Sequence, residues 1–384
     1  MDFDLSEEQR MLKESVDRLI SERYSFEHRK GYGKLAEGWS RELWQQYADM
    51  GLLGVPFEEE HGGFGGGAVE TMIVMEAFGG ALVLEPFLAT VVLAGGAIRM
   101  GGSTEQKKAL LPQIAEGKLL MALAHSERQS RYELSDVGMT AKKEGAGWVL
   151  DGEKTVVMHG DCADKLVVSA RVSGGRRERD GIGLFVVDAG AAGVTRRGYP
   201  TQDGQRGADI TFKGVKVAAG DVLGEPGKAY DLIERVAHAA IAALASEAVG
   251  AMNAMQTITV EYLKTRHQFG VPIGSFQALQ HRAVDMLVAL EQARSMAMYG
   301  TMMAEDADAQ ERAKAMSAVK VQIGKSGKYV GQQAIQLHGG IGVTMEYKVG
   351  HYFMRTTMME TQFGDTDHHL AALARAGGLI SAAD

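Results

Sequence analysis

Between about residues 121 and 222 the apolar pattern of this chain alternates, while on both sides of that stretch it follows a helical period. Few folds accommodate helices, then short strands, then helices again, and pattern alone points to an α+β multidomain protein. The central runs "KLVVSARVS", "GIGLFVVDA" and "ADITFKGVKV" are short, rich in β-branched residues and bounded by Gly. "WVLDGEKTVVM" holds two apolar runs around Asp151-Gly152, which predicts a hairpin turn there. A small antiparallel, barrel-like β-domain is expected.

The flanks read differently. "LSEEQRMLKESVDRLISER" sets Leu5, Met11, Leu12, Val16, Leu19 and Ile20 along one helical stripe, and Ser6 with Gln9 predicts a capping box. "WSRELWQQYADMGLLG" repeats the pattern and stops at Gly51. "GGFGGG" reads as a loop, and "TEQKKALLPQIAEGK" as a short helix pair broken at Pro112. In "SFQALQHRAVDMLVALEQARSMAMYGTMM", Leu279, Ala283, Met286, Leu290, Ala293 and Ala297 recur at three- and four-residue steps. Such stripes predict a helical bundle. The expected domains are residues 1–120 (helical), 121–224 (β) and 225–384 (four-helix bundle).

Composition narrows the function classes. A formal net charge of −8 over 384 residues argues against nucleic acid as the main partner. One cysteine, Cys162, allows no internal disulfide and fits a reducing cytoplasm. The acidic start "MDFDLSEEQR" does not read as a signal peptide, and no apolar run reaches membrane-spanning length. A cytoplasmic location is therefore expected. The 21 Met suit irregular cores first and broad apolar ligands second.

Three segments carry chemistry. "KTRHQFGVPIGSFQALQ" joins two long helices; Arg266 can grip a phosphate with two parallel hydrogen bonds, Phe269 can pack on a planar ring, and Gly270 and Gly274 allow close backbone approach. "QLHGGIGVTMEY" is a Gly-rich break whose amides could face a phosphate, but a lone Gly-Gly-x-Gly is a weak signal and a plain turn is the default explanation. "QFGDTDHHL" places two Asp and two His within five residues. Adjacent His368 and His369 lie about 100° apart on a helix, an awkward geometry for one ion. A capped helix start with Asp near its positive end explains this segment better than a metal site.

Together, in this order and at this spacing, the first two segments resemble those of the flavin-dependent acyl-CoA dehydrogenase family. "RHQFGVPIGSFQALQ" is similar to its Arg-x-x-Phe-Gly…Pro-Ile…Phe-Gln segment, "QLHGGIG" to its Gln-x-x-Gly-Gly-x-Gly segment, and "GLLGVPFEEEHGGFG" to its N-terminal segment. The resemblance implies FAD, a CoA thioester substrate, an electron-transfer flavoprotein as acceptor, and tetramers built from dimers. It implies that Arg266, Gln268 and Phe269 contact the FAD of a neighbouring subunit. Phe276, Gln277, Gln336, Gly339, Gly340 and Thr366 would also line that site.

The chain departs from the family pattern in two places. Where the family reads Tyr-Glu-Gly-Thr with Glu as base, this chain reads Phe363-Gly364-Asp365-Thr366. The alternative base position of isovaleryl-type relatives is Ala240. Glu247, two helical turns later in the apolar run "IAALASEAVGAM", is the leading candidate base, with a base outside this chain second and Asp365 third. Beside the flavin, "AHSERQSRYELSD" keeps Ser126-Glu127 and Ser135-Asp136 in outline, while Val156 and Met158 replace the usual Trp and Thr. Similar departures occur in chains described as small subunits of pimeloyl-CoA dehydrogenase and in heterotetrameric relatives acting on steroid side chains. The expectation is an FAD-dependent dehydrogenase forming a trans-2-enoyl-CoA from a bulky or dicarboxylic acyl-CoA. The alternative is a non-catalytic partner subunit of a heteromeric dehydrogenase.

Overall fold

The computed structural model describes residues 5–377. Before the strands come α1 (Glu7–Arg23), α2 (Phe26–Tyr32), α3 (Arg41–Asp49), α4 (Ala68–Ala81), α5 (Gly96–Gly101) and α6 (Thr104–Ala115). The strands β1 (Met121–Ala124), β2 (Thr140–Glu144), β3 (Gly147–Met158), β4 (Lys165–Arg171), β5 (Ile182–Asp188), β6 (Val194–Pro200), β7 (Arg206–Val217) and β8 (Val222–Leu223) follow. Helix α7 (Tyr230–Thr265), a two-stranded hairpin of β9 (His267–Gln268) and β10 (Val271–Pro272), and helices α8 (Gln277–Met303), α9 (Ala309–His338), α10 (Lys348–Thr361) and α11 (Thr366–Arg375) complete the order.

The described residues divide into two compact units. One contains residues 5–31, 68–83 and 241–377; the other contains 32–67 and 84–240.

In the strand-bearing unit the sheet order is β6-β7-β3-β2-β4-β5-β8, with β1 added in parallel to β4. This hydrogen-bonded path is open, so the sheet is not the closed barrel that the alternation suggested. Leu150, Leu166, Val168, Phe185, Ile210 and Phe212 fill its core. The turn expected at Asp151-Gly152 is absent. Strand β3 runs straight through it, and the reversal falls instead between Glu144 and Gly147. Gly152 takes φ +148° at a register shift against β7. The Asp-Gly signal thus marks a bulge, for which Gly is also the suited residue. Pro112 likewise lies within one helix, α6, rather than between two.

In the helical unit, α9 packs against α8, α10 and α11. Ala283, Met286, Leu290, Ala293 and Ala297 of α8 are buried as the stripe predicts, whereas Leu279 is half-buried. In α1 the capping box of Ser6 and Gln9 forms, and Val16 is the buried residue. Met11 points outward, at the edge of the predicted stripe. Helices α4 and α7 approach closely. A Cβ on Gly79 would run into the Glu247 carbonyl, and one on Gly250 would meet Gly80 N at 2.8 Å.

Candidate functional site

Three groups of candidate residues lie in the helical unit. The first surrounds the α7–α8 connection. Arg266, Gln268, Phe269, Phe276 and Gln277 are all exposed. Phe269 is 91% exposed and holds φ +55°, followed by Gly270 at +80°. Its ring meets Phe276 edge-on at 6.1 Å between centroids. A large aromatic side chain held out in a left-handed conformation is costly unless something binds it. Among the described residues no carboxylate pairs with Arg266. Gln268 spends its side-chain amide on its neighbour's carbonyl, His267 O, at 2.7 Å.

The second group is the turn after α9. Gln336 is exposed, and a Cβ placed on Gly339 or Gly340 would meet nothing within 4 Å. The Tyr262 ring stacks on His338 at 4.5 Å, which brings the end of α7 beside the start of this turn. An unpaired guanidinium, an exposed aromatic ring and an open glycine backbone form a donor set suited to a dinucleotide's phosphates and rings. These residues fit FAD.

The third group is the 359–369 segment. Lys320 reaches it from α9 and donates to the carbonyls of Met359 (2.8 Å), Glu360 (3.0 Å) and Gln362 (2.7 Å). Burial pushes its pKa down to about 8. Phe363 and Gly364 both take left-handed backbone, with φ +57° and +109°. His369 Nε2 donates to Phe363 O at 2.9 Å, so its Nδ1 accepts from Ser317 Oγ at 3.1 Å. Burial lowers the His369 pKa to about 4, which keeps the ring neutral. A Cβ on Gly364 would meet the His369 ring and lie 2.8 Å from His368 Cδ2. Gly364 has therefore no room for any side chain.

Asp365 is the N-cap of α11, with Oδ1 accepting from His368 N at 2.8 Å. Thr366 is half-buried and its N–H donates to Glu360 Oε1 at 2.9 Å. The segment is thus a capped helix start. Both nitrogens of His369 are committed to protein atoms, which removes it as a metal ligand.

Glu247 is buried in α7 and faces α10. Arg355 donates from Nε to Oε1 at 2.7 Å and from Nη2 to Oε2 at 2.8 Å. Both partners are about 95% buried. A carboxylate offers about four acceptor sites, and this fork uses two, leaving two. The sequence marked Glu247 by its apolar setting, but nothing in it singled out Arg355 among the Arg residues.

Ser126 and Met158 belong to the strand-bearing unit. Ser126 is exposed, and its carbonyl accepts from Thr155 N at 2.9 Å. Met158 is half-buried at the end of β3, and Val156 is exposed with φ +51°. The neighbouring Glu127 is buried, accepting from Gly138 N (2.8 Å), Met139 N (3.1 Å) and Lys154 Nζ (2.7 Å). It fastens the 127–139 loop. Asp136 pairs with Arg176 and Arg177, each at 2.8 Å. These two acidic residues, which survive in outline from the family's run, serve the loop itself.

No helix among the described residues is long and apolar enough to cross a membrane. Residues 6–118, 122–215 and 231–378 match the family models for the acyl-CoA dehydrogenase N-terminal, middle and C-terminal domains. A probable acyl-CoA dehydrogenase, YngJ of Bacillus subtilis, is 27% identical over 98% of this chain and 99% of its own length. Mitochondrial isovaleryl-CoA dehydrogenase of Solanum tuberosum is 30% identical over 85% of this chain and 79% of its own. The solved ChsE4-ChsE5 complex of Mycobacterium tuberculosis superposes with a TM-score of 0.87 at 27% identity, covering 98% of each chain. The chain belongs to the acyl-CoA dehydrogenase family, FAD-dependent oxidoreductases that act on the CH–CH group of an acyl-CoA.

Proposed function

We propose that this chain oxidises a bulky or dicarboxylic acyl-CoA to the trans-2-enoyl-CoA, with Glu247 as the base. The observation that carries this reading is the Glu247–Arg355 fork. A carboxylate buried in an apolar helix is costly without a counter-charge beside it, and a base must be held in place to accept a proton. Arg355 provides that charge and fixes the carboxylate, while two acceptor sites stay open for the substrate's α-proton. When bound, FAD supplies the acceptor for the β-hydrogen, which leaves as hydride. Arg266 and the Gly339-Gly340 backbone would hold its pyrophosphate, with Gln268, Phe269, Phe276, Gln277 and Gln336 beside them. In the helical unit Thr366 would add a contact, and in the strand-bearing unit Ser126 and Met158 would each touch the flavin. Ala240, which stands where isovaleryl-type relatives are read to carry the carboxylate, supports a large acyl group because its side chain is minimal.

An oligomer follows from the same surface. Val284, Leu287 and Val288 of α8 are exposed together, an apolar stripe suited to a second dehydrogenase chain. An electron-transfer flavoprotein is the proposed electron acceptor. The test is turnover with Glu247→Gln and Glu247→Asp in flavin-loaded protein. Loss in the first and reduction in the second support the assignment, and full turnover in Glu247→Gln rejects it.

A second reading is favoured by the closed turn at Gly364. Here the chain lends its flavin contacts to a homologous partner that carries the base. The ChsE4-ChsE5 relative is, by its name, a complex of two such chains. Activity of the chain purified alone rejects this reading; activity only after adding a co-purifying homologue supports it.

A further inference from the structure

The C-terminal end of α10 is held by a side chain outside the Glu247–Arg355 pair. Lys320 of α9 is only 3% exposed. An ammonium has three donors, and here they meet three acceptors, the carbonyls of Met359 (2.8 Å), Glu360 (3.0 Å) and Gln362 (2.7 Å). The last carbonyls of a helix lack intrahelical partners, and the C-cap of α10 is Gln362 rather than glycine. Lys320 answers those carbonyls and sets its charge at the negative end of the helix dipole.

Further along, α9 meets α10 through glycine. A Cβ on Gly331 would lie 2.5 Å from Phe353 Cδ2, one on Gly327 3.5 Å from Thr356 Cβ, and one on Gly324 3.1 Å from Glu360 Cγ. A glycine track brings the helices close but has no side chains to interlock with α10, so it does little to stop α10 from sliding. Lys320 adds a directional tie. Arg355 stands on the same helix four residues before Met359, about 6 Å along the axis. A slip of α10 therefore carries Arg355 with it. The fork onto Glu247 consists of two hydrogen bonds, at 2.7 and 2.8 Å, and such bonds weaken steeply when misaligned.

We propose that Lys320 is a positioning residue for the reaction: by pinning the end of α10, it sets where Arg355 holds the Glu247 carboxylate. The inference rests on the reading of Glu247 as the base. It separates two effects that a purely structural lysine would not, because the acyl-CoA contacts survive its loss while the aim of the base does not.

The experiment compares Lys320→Met with wild type in the FAD-reconstituted full chain. Met keeps a long stem and leaves the three carbonyls without their donor. In flavin-loaded protein kcat is expected to fall about 10- to 100-fold with KM close to wild type. In an Arg355→Lys background, which keeps a charge beside Glu247 but loses the fork, Lys320→Met is expected to lower kcat by less than about twofold further. Amide hydrogen exchange gives a readout apart from activity, and Lys320→Met should speed exchange along residues 348–361. Wild-type kcat or unchanged exchange in Lys320→Met would overturn the inference, as would an equal fall in kcat in both backgrounds. If Lys320→Met does not fold, Lys320→Gln, which keeps two donors, is judged by the same criteria. If neither folds, Lys320 serves the fold alone and the inference falls. Full turnover in Glu247→Gln would overturn the base reading and this inference with it, whereas an inactive Glu247→Gln beside a fully active Lys320→Met would overturn this inference alone.

Discussion

Arg355 of α10 holds both carboxylate oxygens of Glu247 on α7, at 2.7 and 2.8 Å, with neither side chain more than 6% exposed. Removing one partner leaves an uncompensated charge in an apolar helix pair. Arg355→Gln is expected to lower stability by about 3–5 kcal/mol, read by chemical denaturation. Glu247→Leu/Arg355→Met, which removes both charges, should be far less destabilised than either single variant. If Arg355→Gln unfolds like wild type, the pair contributes little to stability.

The Gly364 turn should resist repair. Alanine there must adopt φ +109° and push into the His369 ring. Gly364→Ala is expected to cost more than about 1 kcal/mol, measured as a drop in unfolding free energy. Gly364→Glu, which puts a carboxylate where the sequence resemblance leads one to expect it, should confer no turnover in a Glu247→Gln background. Recovered turnover there would show that the turn opens readily.

Helix spacing around Glu247 makes a third prediction. Gly79 and Gly250 let α4 and α7 approach backbone to backbone. Gly79→Ala forces them apart and displaces the Glu247 main chain, at a cost of about 1–3 kcal/mol. Turnover should fall together with thermal stability. A variant with wild-type stability and activity would mean that the two helices separate at little cost.

Acid should weaken the fold through its buried imidazoles. Burial lowers His125 to about 3 and His369 to about 4, both from an ordinary 6.5. The unfolded chain therefore binds more protons in this window, so stability is full above about pH 6.5 and falls as pH drops toward 4. His369→Asn should flatten part of that slope in thermal melts taken across the window. An identical slope in the variant would show that His369 does not contribute.

How far the sequence foretells this structure differs by element. The helical stripe of α8 and the Ser6–Gln9 cap follow from local periodicity and side-chain chemistry, and both form as read. The Asp151-Gly152 signal has the residue types of a hairpin turn, but pairing with β7 across the sheet makes it a bulge. That choice is tertiary and has no local trace. Likewise, Glu247 stands out by its apolar surroundings, whereas its partner lies 108 residues later on another helix. Gly364 reads as a missing base, but the reason no side chain fits is the His369 ring, held by Ser317, which lies 52 residues before His369 in the chain. Lys154 looks like an ordinary strand lysine until the alternation of β3 turns it inward.

The most direct measurement is anaerobic bleaching of the flavin absorbance by acyl-CoA substrates, in wild-type chain and in Glu247→Gln matched for flavin content. The proposed assignment predicts bleaching in the wild type and none, or a rate lower by orders of magnitude, in the variant. Equal bleaching in both would contradict Glu247 as the base.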